Sequence, residues 1–142
     1  EGGFVCCDKE LGMYLRNHAR SYVYSTALSA GVVAASLTAL RLIQESDVVA
    51  ILHSNIEYAR TALDASKAGP MTPIIPVTIG DERNAVRVAD FLREHGVWAP
   101  AMRYPTVPRG EAIIRVTVSA AHTHSQIDRL AELLKTATTL RR

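Results

Sequence analysis

Cysteine is scarce in this sequence, and its placement excludes several classes of protein. The two cysteines, Cys6 and Cys7, are adjacent, so they provide neither a metal-ligand spacing nor a disulfide framework. We expect both to be buried or half-buried free thiols in a reducing compartment. No apolar run reaches the roughly 18–20 residues that cross a bilayer, and Glu1-Gly2-Gly3 lacks the basic start of a signal peptide. These absences predict a cytoplasmic protein with no membrane segment.

An excess of charge of one sign is also missing. Lysine and arginine number 16 against 14 aspartate and glutamate residues, which gives a net charge of +2, and the basic residues are scattered. Without a basic patch there is little attraction to nucleic acid or to an acidic membrane, so we expect neither as a partner. Because the chain begins at Glu1 and not at Met, we expect a fragment of a longer protein or a processed chain.

Catalytic and metal-binding motifs are equally scarce. The sequence contains no GxSxG, P-loop or GxGxxG motif. Only His122 and His124 among the five histidines are close in sequence, and they lie at a predicted helix start without a further ligand. We therefore expect an ordinary loop there and no metal site.

Hydrophobic periodicity divides the chain into a mostly helical first part and a mixed second part. In the first part, Gly2–Cys7 is apolar and predicts a strand, while Ser21–Ser25 is rich in β-forming residues and is expected to be extended. Apolar residues at helical spacing predict three helices: one from Asp8 or Lys9 to about Ala19, one from Thr26 as N-cap to Leu42, and one from Val48 to about Ser66.

The second part alternates strands and helices. Pro73 and Pro76 predict an edge or irregular strand, because proline cannot donate to a sheet ladder. Short connections predict that the last two strands are antiparallel, since a parallel pair needs a longer crossover. The fold class is therefore α+β, with a three-stranded antiparallel sheet and helices on one face. The predicted elements are the strands Thr72–Ile79, Val97–Ala101 and Ala112–Ser119 and the helices Glu82–His95 and Gln126–Thr138.

Capping residues mark the ends of these last two helices. Asp81 is a favoured N-cap, and Gly96 stands where a C-terminal glycine belongs. Thr123 followed by Gln126 matches a capping box.

The loop Ala101–Gly110 and the strand that follows it carry the strongest sign of a functional site. Two prolines stiffen the loop, Arg103 precedes them, and Arg115 interrupts an otherwise apolar strand. Alternation places Arg115 on the face of Ile113 and Thr117, and a buried guanidinium needs an anionic partner. One interpretation is bidentate capture of a substrate carboxylate. The other is a structural ion pair or a strand-edge arginine.

Five segments, taken in order, resemble the α-oxoamine synthase family: GGFVCCDKEL, ARSYVYSTALS, TPIIPVTIGD, AMRYPTVPRG and IIRVTVSAAHT with QIDRL. These are fold-type-I pyridoxal-phosphate acyltransferases that join an amino acid to an acyl thioester with loss of carbon dioxide. The resemblance implies the C-terminal part of such an enzyme, which is α/β overall and acts on small molecules as a homodimer. It implies that residues 1–45 are the edge of the large cofactor-binding domain and residues 46–142 the small domain.

The resemblance also implies roles for single residues. Arg115 matches the arginine that holds the substrate carboxylate, and Arg103 matches a second active-site arginine. Ser25 and Thr26 match the position that reaches the cofactor phosphate of the neighbouring subunit. In the family the Schiff-base lysine precedes the paired glycines and so lies outside this chain; Lys9 is not expected to replace it. No catalytic residue is therefore expected here, and the missing N-terminal portion would be needed for activity.

The loop also bears on the substrates. Arg103 favours the branch of the family that joins L-alanine to a pimeloyl thioester, carried on coenzyme A or a carrier protein, in biotin biosynthesis. Tyr104 departs from that branch, and YPTVPRG is similar to the branch that makes 5-aminolevulinate. Another α-oxoamine synthase, of the 5-aminolevulinate or 2-amino-3-ketobutyrate type, stays open, as does a non-catalytic module for dimerisation or regulation.

Overall fold

The computed structural model describes residues 3–65 and 69–139, which belong to two compact units. The first unit is Glu1–Ser46 and the second is Asp47–Arg142. Within the described ranges, none of the helices combines the length and the apolar character needed to cross a bilayer.

The first unit is helical and has no buried residue in any of its helices. Asp8 caps the first helix, because its carboxylate accepts a hydrogen bond from the Leu11 N–H at 2.8 Å. Ser29 caps the third in the same way, with its Oγ accepting from the Val32 N–H at 3.4 Å. The helices are α1 Lys9–His18, α2 Arg20–Val23 and α3 Ala30–Glu45.

Two predicted extended segments of the first unit are wrong. Residues 3–7 of the predicted strand Gly2–Cys7 are irregular and exposed, and Gly2 lies outside the described residues. A strand needs a neighbour to pair its backbone groups, and the described part of this unit has none. Cys6 and Cys7 are consequently exposed free thiols and not buried ones. Ser21–Ser25, predicted extended, instead contains the end of α2, where the Val23 N–H bonds to the Ala19 carbonyl at 3.0 Å.

The helix predicted to start at Thr26 begins later. Thr26 lies in an irregular exposed stretch, and Ser29 takes the N-cap position. Both residue types are good N-caps, so composition alone did not select between them. The helix also continues to Glu45, beyond the predicted end at Leu42.

The second unit contains the sheet. Its elements are α4 Val48–Ala62, β1 Ile74–Gly80, α5 Glu82–Glu94, β2 Ala101–Met102, β3 Ala112–Thr117 and α6 His124–Thr139. The three helices and two of the three strands predicted for this unit are present with small differences at their ends, whereas β2 coincides with its predicted strand only at Ala101. The predicted end of α4 at Ser66 lies outside the described residues.

A backbone turn ends α4 at Ala62. Asp64 has a positive φ of 53°, a conformation in which asparagine and aspartate are over-represented among side-chain-bearing residues. Its N–H bonds to the Thr61 carbonyl at 3.1 Å, and the Ala65 N–H bonds to the Arg60 carbonyl at 2.8 Å. This pair of bonds is the Schellman arrangement that closes a helix.

The predicted caps of α5 are confirmed. The Asp81 carboxylate accepts from the Asn84 N–H at 2.8 Å. Gly96 has a φ of 80°, and the next residue, Val97, donates its N–H to the Leu92 carbonyl at 2.9 Å. A glycine takes this left-handed position without steric cost.

The predicted capping box of α6 is confirmed as well. The Thr123 N–H donates to Gln126 Oε1 at 3.0 Å, and the Gln126 N–H donates to Thr123 Oγ1 at 3.3 Å. Because Thr123 is the cap, the helix begins at His124 and not at Gln126.

The sheet has the order β1–β3–β2, and both pairs are antiparallel. This arrangement confirms the predicted sheet and the edge position of the proline-containing strand. The predicted strand Val97–Ala101 is wrong for residues 97–100, because β2 comprises only Ala101 and Met102. Val97 uses its N–H to close α5, and Pro100 has no N–H to give; its carbonyl accepts from the Arg115 N–H at 3.0 Å.

The two faces of the sheet differ in burial. Ile75 pairs with Val116 and Val77 with Ile114 on the face that packs against the helices. That face and the inner sides of α4, α5 and α6 make the core, so the prediction of helices on one face is confirmed. We call the other side the open face; its residues are Ile74, Pro76, Thr78, Met102, Ile113, Arg115 and Thr117.

Neighbouring isoleucines of β3 test this division. Ile114→Ala should lower the free energy of unfolding by about 2–5 kcal/mol, because it removes a fully buried side chain from the core. Ile113→Ala is the matched control on the open face and should cost about 1 kcal/mol or less. Urea unfolding of both variants measures the difference, and equal losses would contradict the assignment of the faces.

Candidate functional site

Arg115 stands at the centre of the open face. It belongs to the middle strand, its Cα partner in β1 is Pro76, and its N–H is held by the Pro100 carbonyl at 3.0 Å. The predicted face is therefore right, but the predicted burial is wrong: the side chain is exposed. Within the described residues its guanidinium forms no ion pair and no hydrogen bond. A fixed backbone thus presents an unpaired cation on a mostly apolar surface.

Arg103 follows β2 and begins the loop to β3. Its carbonyl accepts hydrogen bonds from the Thr106 N–H at 2.9 Å and the Val107 N–H at 3.4 Å, which fix a turn. The side chain is exposed and has no partner in the described part of the chain. Arg109, in contrast, lies over the ring of Tyr104 at 4.6 Å, so it is engaged inside the loop.

Ser25 and Thr26 belong to the first unit and are exposed. The Ser25 hydroxyl donates to the Ser21 carbonyl at 2.6 Å, which leaves its oxygen able to accept but ties up its proton. Thr26 has no hydrogen bond among the described residues. Because Ser29 is the cap of α3, the expected position of Thr26 directly at a helix N-terminus is wrong.

The structure places two of the four predicted site residues in the same hairpin. Arg103 and Arg115 both lie in the β2–loop–β3 hairpin of the second unit. Arginine is the side chain best suited to bind planar carboxylates through two parallel bonds. This hairpin can therefore hold one or two carboxylate groups.

A polar cluster between α4 and α6 was missed by the sequence analysis. Asn55 is buried and donates to the carbonyls of Ser119 at 3.1 Å and His122 at 2.8 Å. The Tyr58 hydroxyl donates a hydrogen bond to the Asp128 carboxylate at 2.8 Å, and its ring stacks on that of His124 with 3.9 Å between the ring centroids. The available signal was Asn55 itself, a polar residue on the apolar side of a helix.

The predicted loop around the two neighbouring histidines is confirmed at His122 but not at His124, which is the first residue of α6. His122 Nδ1 accepts from the Ser119 N–H at 2.9 Å, and His124 is stacked on Tyr58. Among the residues the structure describes, no group of three His, Cys, Asp or Glu side chains could hold a metal ion.

The contact with Asp128 changes the titration of Tyr58. The hydrogen bond to the carboxylate raises the pKa of Tyr58 above its usual 10.0, and partial burial and the negative charge of Asp128 raise it further. Because the pKa of Tyr58 is raised in the folded state, the bond to Asp128 stabilises the fold fully below pH 10.0, the usual pKa of tyrosine. This stabilisation is lost as the pH rises through the pKa that Tyr58 has in the folded protein.

Replacing the carboxylate should reverse this shift. Asp128→Ala should lower the pKa of Tyr58 toward 10.0, measured by ultraviolet titration as the difference from the same protein carrying Tyr58→Phe. That subtraction isolates one of the five tyrosines. Asp90→Ala is the control, since Asp90 pairs with Arg93 on α5 and should leave the Tyr58 titration unchanged. An identical Tyr58 titration in the Asp128 variant would refute the assigned cause.

Comparison with known proteins finds a matching family and several similar proteins. The family described as aminotransferase class I and II matches residues 1–134. The chain is 41% identical over 142 residues to a biotin biosynthesis bifunctional protein of Corynebacterium kroppenstedtii, covering 95% of this chain and 20% of that protein. It is 40% identical over 141 residues to an 8-amino-7-oxononanoate synthase of Methylobacillus flagellatus, covering 94% and 35%.

A solved structure agrees in fold. The 8-amino-7-oxononanoate synthase of Francisella tularensis matches with a TM-score of 0.78 at 27% identity, over 94% of this chain and 40% of that one. The chain thus spans between 20% and 40% of the length of these three proteins. The comparisons confirm the resemblance that the five sequence segments indicated.

Proposed function

Because this chain belongs to the aminotransferase class I and II family, we propose that it is the C-terminal part of an 8-amino-7-oxononanoate synthase. The parent enzyme would be a pyridoxal-phosphate-dependent C-acyltransferase. It would condense L-alanine with pimeloyl-CoA, or with the pimeloyl thioester of a carrier protein, with loss of carbon dioxide. The observation that carries the proposal is the unpaired guanidinium of Arg115 on the open face.

Arg115 would bind the carboxylate of the amino-acid substrate. Its backbone is fixed between β1 and the Pro100 carbonyl, so the side chain departs from a rigid position. Pro76 and Pro100 flank it and offer no charge. In such surroundings a planar guanidinium gains most from a planar anion that accepts two parallel bonds. The role we propose is to hold and orient the substrate.

Arg103 would serve as the second active-site arginine. Arg109 is stacked on Tyr104, so Arg103 is the arginine of this loop whose side chain has no described partner. The turn that its carbonyl closes with Thr106 would keep it at the mouth of the site. The loop from Tyr104 to Pro108 would line the path of the acyl chain.

Pyridoxal phosphate, when bound, supplies an electron sink for the carbanion formed at the amino-acid α-carbon. The residues present fit a peripheral contact with its phosphate: the Thr26 hydroxyl is exposed and has no described partner. Ser25 would add an accepting oxygen or, after releasing Ser21, a donor. The Schiff-base lysine would come from the portion of the protein that precedes Glu1. Lys9 would not replace it, since Lys9 is the first residue of α1.

The two units would correspond to parts of two domains. Residues 1–45 would be the edge of the large cofactor-binding domain, and residues 46–142 the small C-terminal domain. The first unit has large exposed apolar side chains, including Phe4 at 76% and Tyr24 at 84% exposure. Apolar surface of this extent marks contacts with other protein. We propose that the N-terminal portion of the enzyme and a second subunit of a cytoplasmic homodimer supply those contacts.

The incomplete active site predicts an inactive fragment. The chain alone, assayed with pyridoxal phosphate, L-alanine and pimeloyl-CoA, should release no 8-amino-7-oxononanoate, whereas the protein encoded by the full genomic reading frame should. A genomic reading frame that starts at or near Glu1 would favour a non-catalytic module for dimerisation or regulation. Normal turnover by the chain alone would contradict the proposed position of the lysine.

Substitution of Arg115 should cause a specific kinetic defect in the full-length enzyme. Arg115→Lys keeps the charge but loses the two-pronged geometry, so kcat/KM for L-alanine should fall by about 10–100-fold. Arg83→Lys is the control, because Arg83 is an exposed residue of α5 outside the hairpin. Steady-state kinetics measure both, and equal values for the two variants would remove the proposed role of Arg115.

A second candidate rests on Tyr104. The run YPTVPRG, with the Tyr104 side chain 53% exposed beside Arg109, is similar to 5-aminolevulinate synthases. That type, or the 2-amino-3-ketobutyrate CoA ligase type, would use the same carboxylate clamp with different substrates. Turnover of the full-length enzyme with a panel of small amino acids and acyl-CoA thioesters distinguishes these possibilities.

A further inference from the structure

The second unit contains a cavity that the proposed catalytic role does not use. Its volume is about 350 Å³, and it is bordered by the end of β3, the start of α6 and the segment from Gly96 to Ala99. Arg103 and Arg115 are not among its lining residues. We propose that this cavity binds a small amphiphilic carboxylate, that is, an alkyl chain ending in a carboxylate group. The proposal rests on the cavity alone and not on the proposed enzyme activity.

The interior of the cavity is apolar. It reaches the core side chains of Ala99, Val116, Val118 and Ile127, which are all at most 5% exposed. Leu130 extends the apolar wall toward the opening. Binding sites for small molecules are typically such apolar clefts, of about 300–1,000 Å³, with few polar groups. The volume and the lining suit a short alkyl chain.

The space exists because the segment before β2 does not pair with the end of β3. The Val97 N–H is directed back to α5, where it bonds to the Leu92 carbonyl at 2.9 Å. The first bond between this segment and β3 is that of the Arg115 N–H to Pro100 at 3.0 Å. In the described chain no backbone bond joins Thr117 to residues 97–99. A ligand can therefore lie beside this part of β3 without breaking the sheet.

The polar groups of the lining favour an anion. Arg129 donates one bond to the His95 carbonyl at 3.0 Å and keeps its remaining donors. His122 Nδ1 accepts from the Ser119 N–H at 2.9 Å, so Nε2 is the ring nitrogen that can donate. None of the lining residues is an aspartate or glutamate. Thr117 and Gln126 are also polar lining residues but carry no charge. Apolar walls, the donors of Arg129 and His122 and the lack of an acid complement a carboxylate attached to an alkyl chain.

Trp98 provides a direct measurement, because it lines the cavity and is the one tryptophan of the sequence. Titration of the full 142-residue chain with octanoate should change Trp98 fluorescence to saturation. Octanol has the same alkyl chain without the charge, and octylamine carries the opposite charge. Both should bind at least about tenfold more weakly than octanoate, since each loses the charge-assisted bonds.

Two variants connect the signal to the cavity. Arg129→Gln should raise the Kd for octanoate by about tenfold or more, whereas Arg83→Gln, an equal loss of charge on α5 outside the cavity, should leave it unchanged. Leu130→Phe, a half-buried position at the opening, should also weaken binding by filling space. Thermal unfolding followed by circular dichroism verifies that each variant is folded. Arg129→Gln and Leu130→Phe change different kinds of side chain, so one can still test the cavity if the other does not fold.

Several outcomes would overturn the proposal. One is a Trp98 signal that changes linearly with octanoate and never saturates. Another is equal affinity of octanoate for the Arg129 and Arg83 variants, and a third is equal affinity for octylamine. A Trp98 signal that depends on the concentration of the chain itself, without octanoate, would assign the cavity to a second copy of the chain and would also refute the proposal.

Discussion

Side-chain alternation along β3 is the constraint on which the second unit depends. Ile114 and Val116 must face the helices, because they form the centre of the core. Arg115, which lies between them, must then stand on the open face. A register slip of one residue would bury the guanidinium and expose the isoleucine, so core packing opposes any movement of the arginine. The position of the proposed carboxylate clamp is therefore a consequence of hydrophobic burial and not of local polar contacts.

The first unit presents the opposite situation, since two of its helices have side-chain caps but none has a buried residue. Asp8 and Ser29 satisfy backbone groups at the starts of α1 and α3, yet no residue of these helices is buried. Most helical stability in proteins comes from packing an apolar side and not from intrinsic propensity. Apolar residues such as Leu37 and Ile43 are exposed in this unit, so its helices lack packing that the proposed N-terminal portion and second subunit would supply.

Local signals explain how much of this structure could be predicted from the sequence. Asp81, Gly96 and the capping box at Thr123 act within one turn of chain and were each confirmed, although the predicted first residue of α6, Gln126, was two positions late. The strand expected at Gly2–Cys7 failed because strand formation requires a partner, which periodicity does not reveal. The face of Arg115 followed from alternation, but its exposure did not. The bond between Tyr58 and Asp128 joins residues 70 positions apart, and no local pattern indicates such a contact.

Two arginines of the second unit show why exposure changed the interpretation of Arg115. Arg60 is buried, and its guanidinium donates to the carbonyls of Pro70 at 2.8 Å and Gly69 at 3.0 Å. It joins α4 to the segment before β1, which is a structural role. Arg115 has no such carbonyls within the described chain, although its backbone is equally well fixed. An arginine of the first kind is satisfied by the fold, whereas the guanidinium of Arg115 is exposed and has no partner within the described unit. This difference argues against a structural ion pair within the unit and supports the proposed binding of a carboxylate from another molecule.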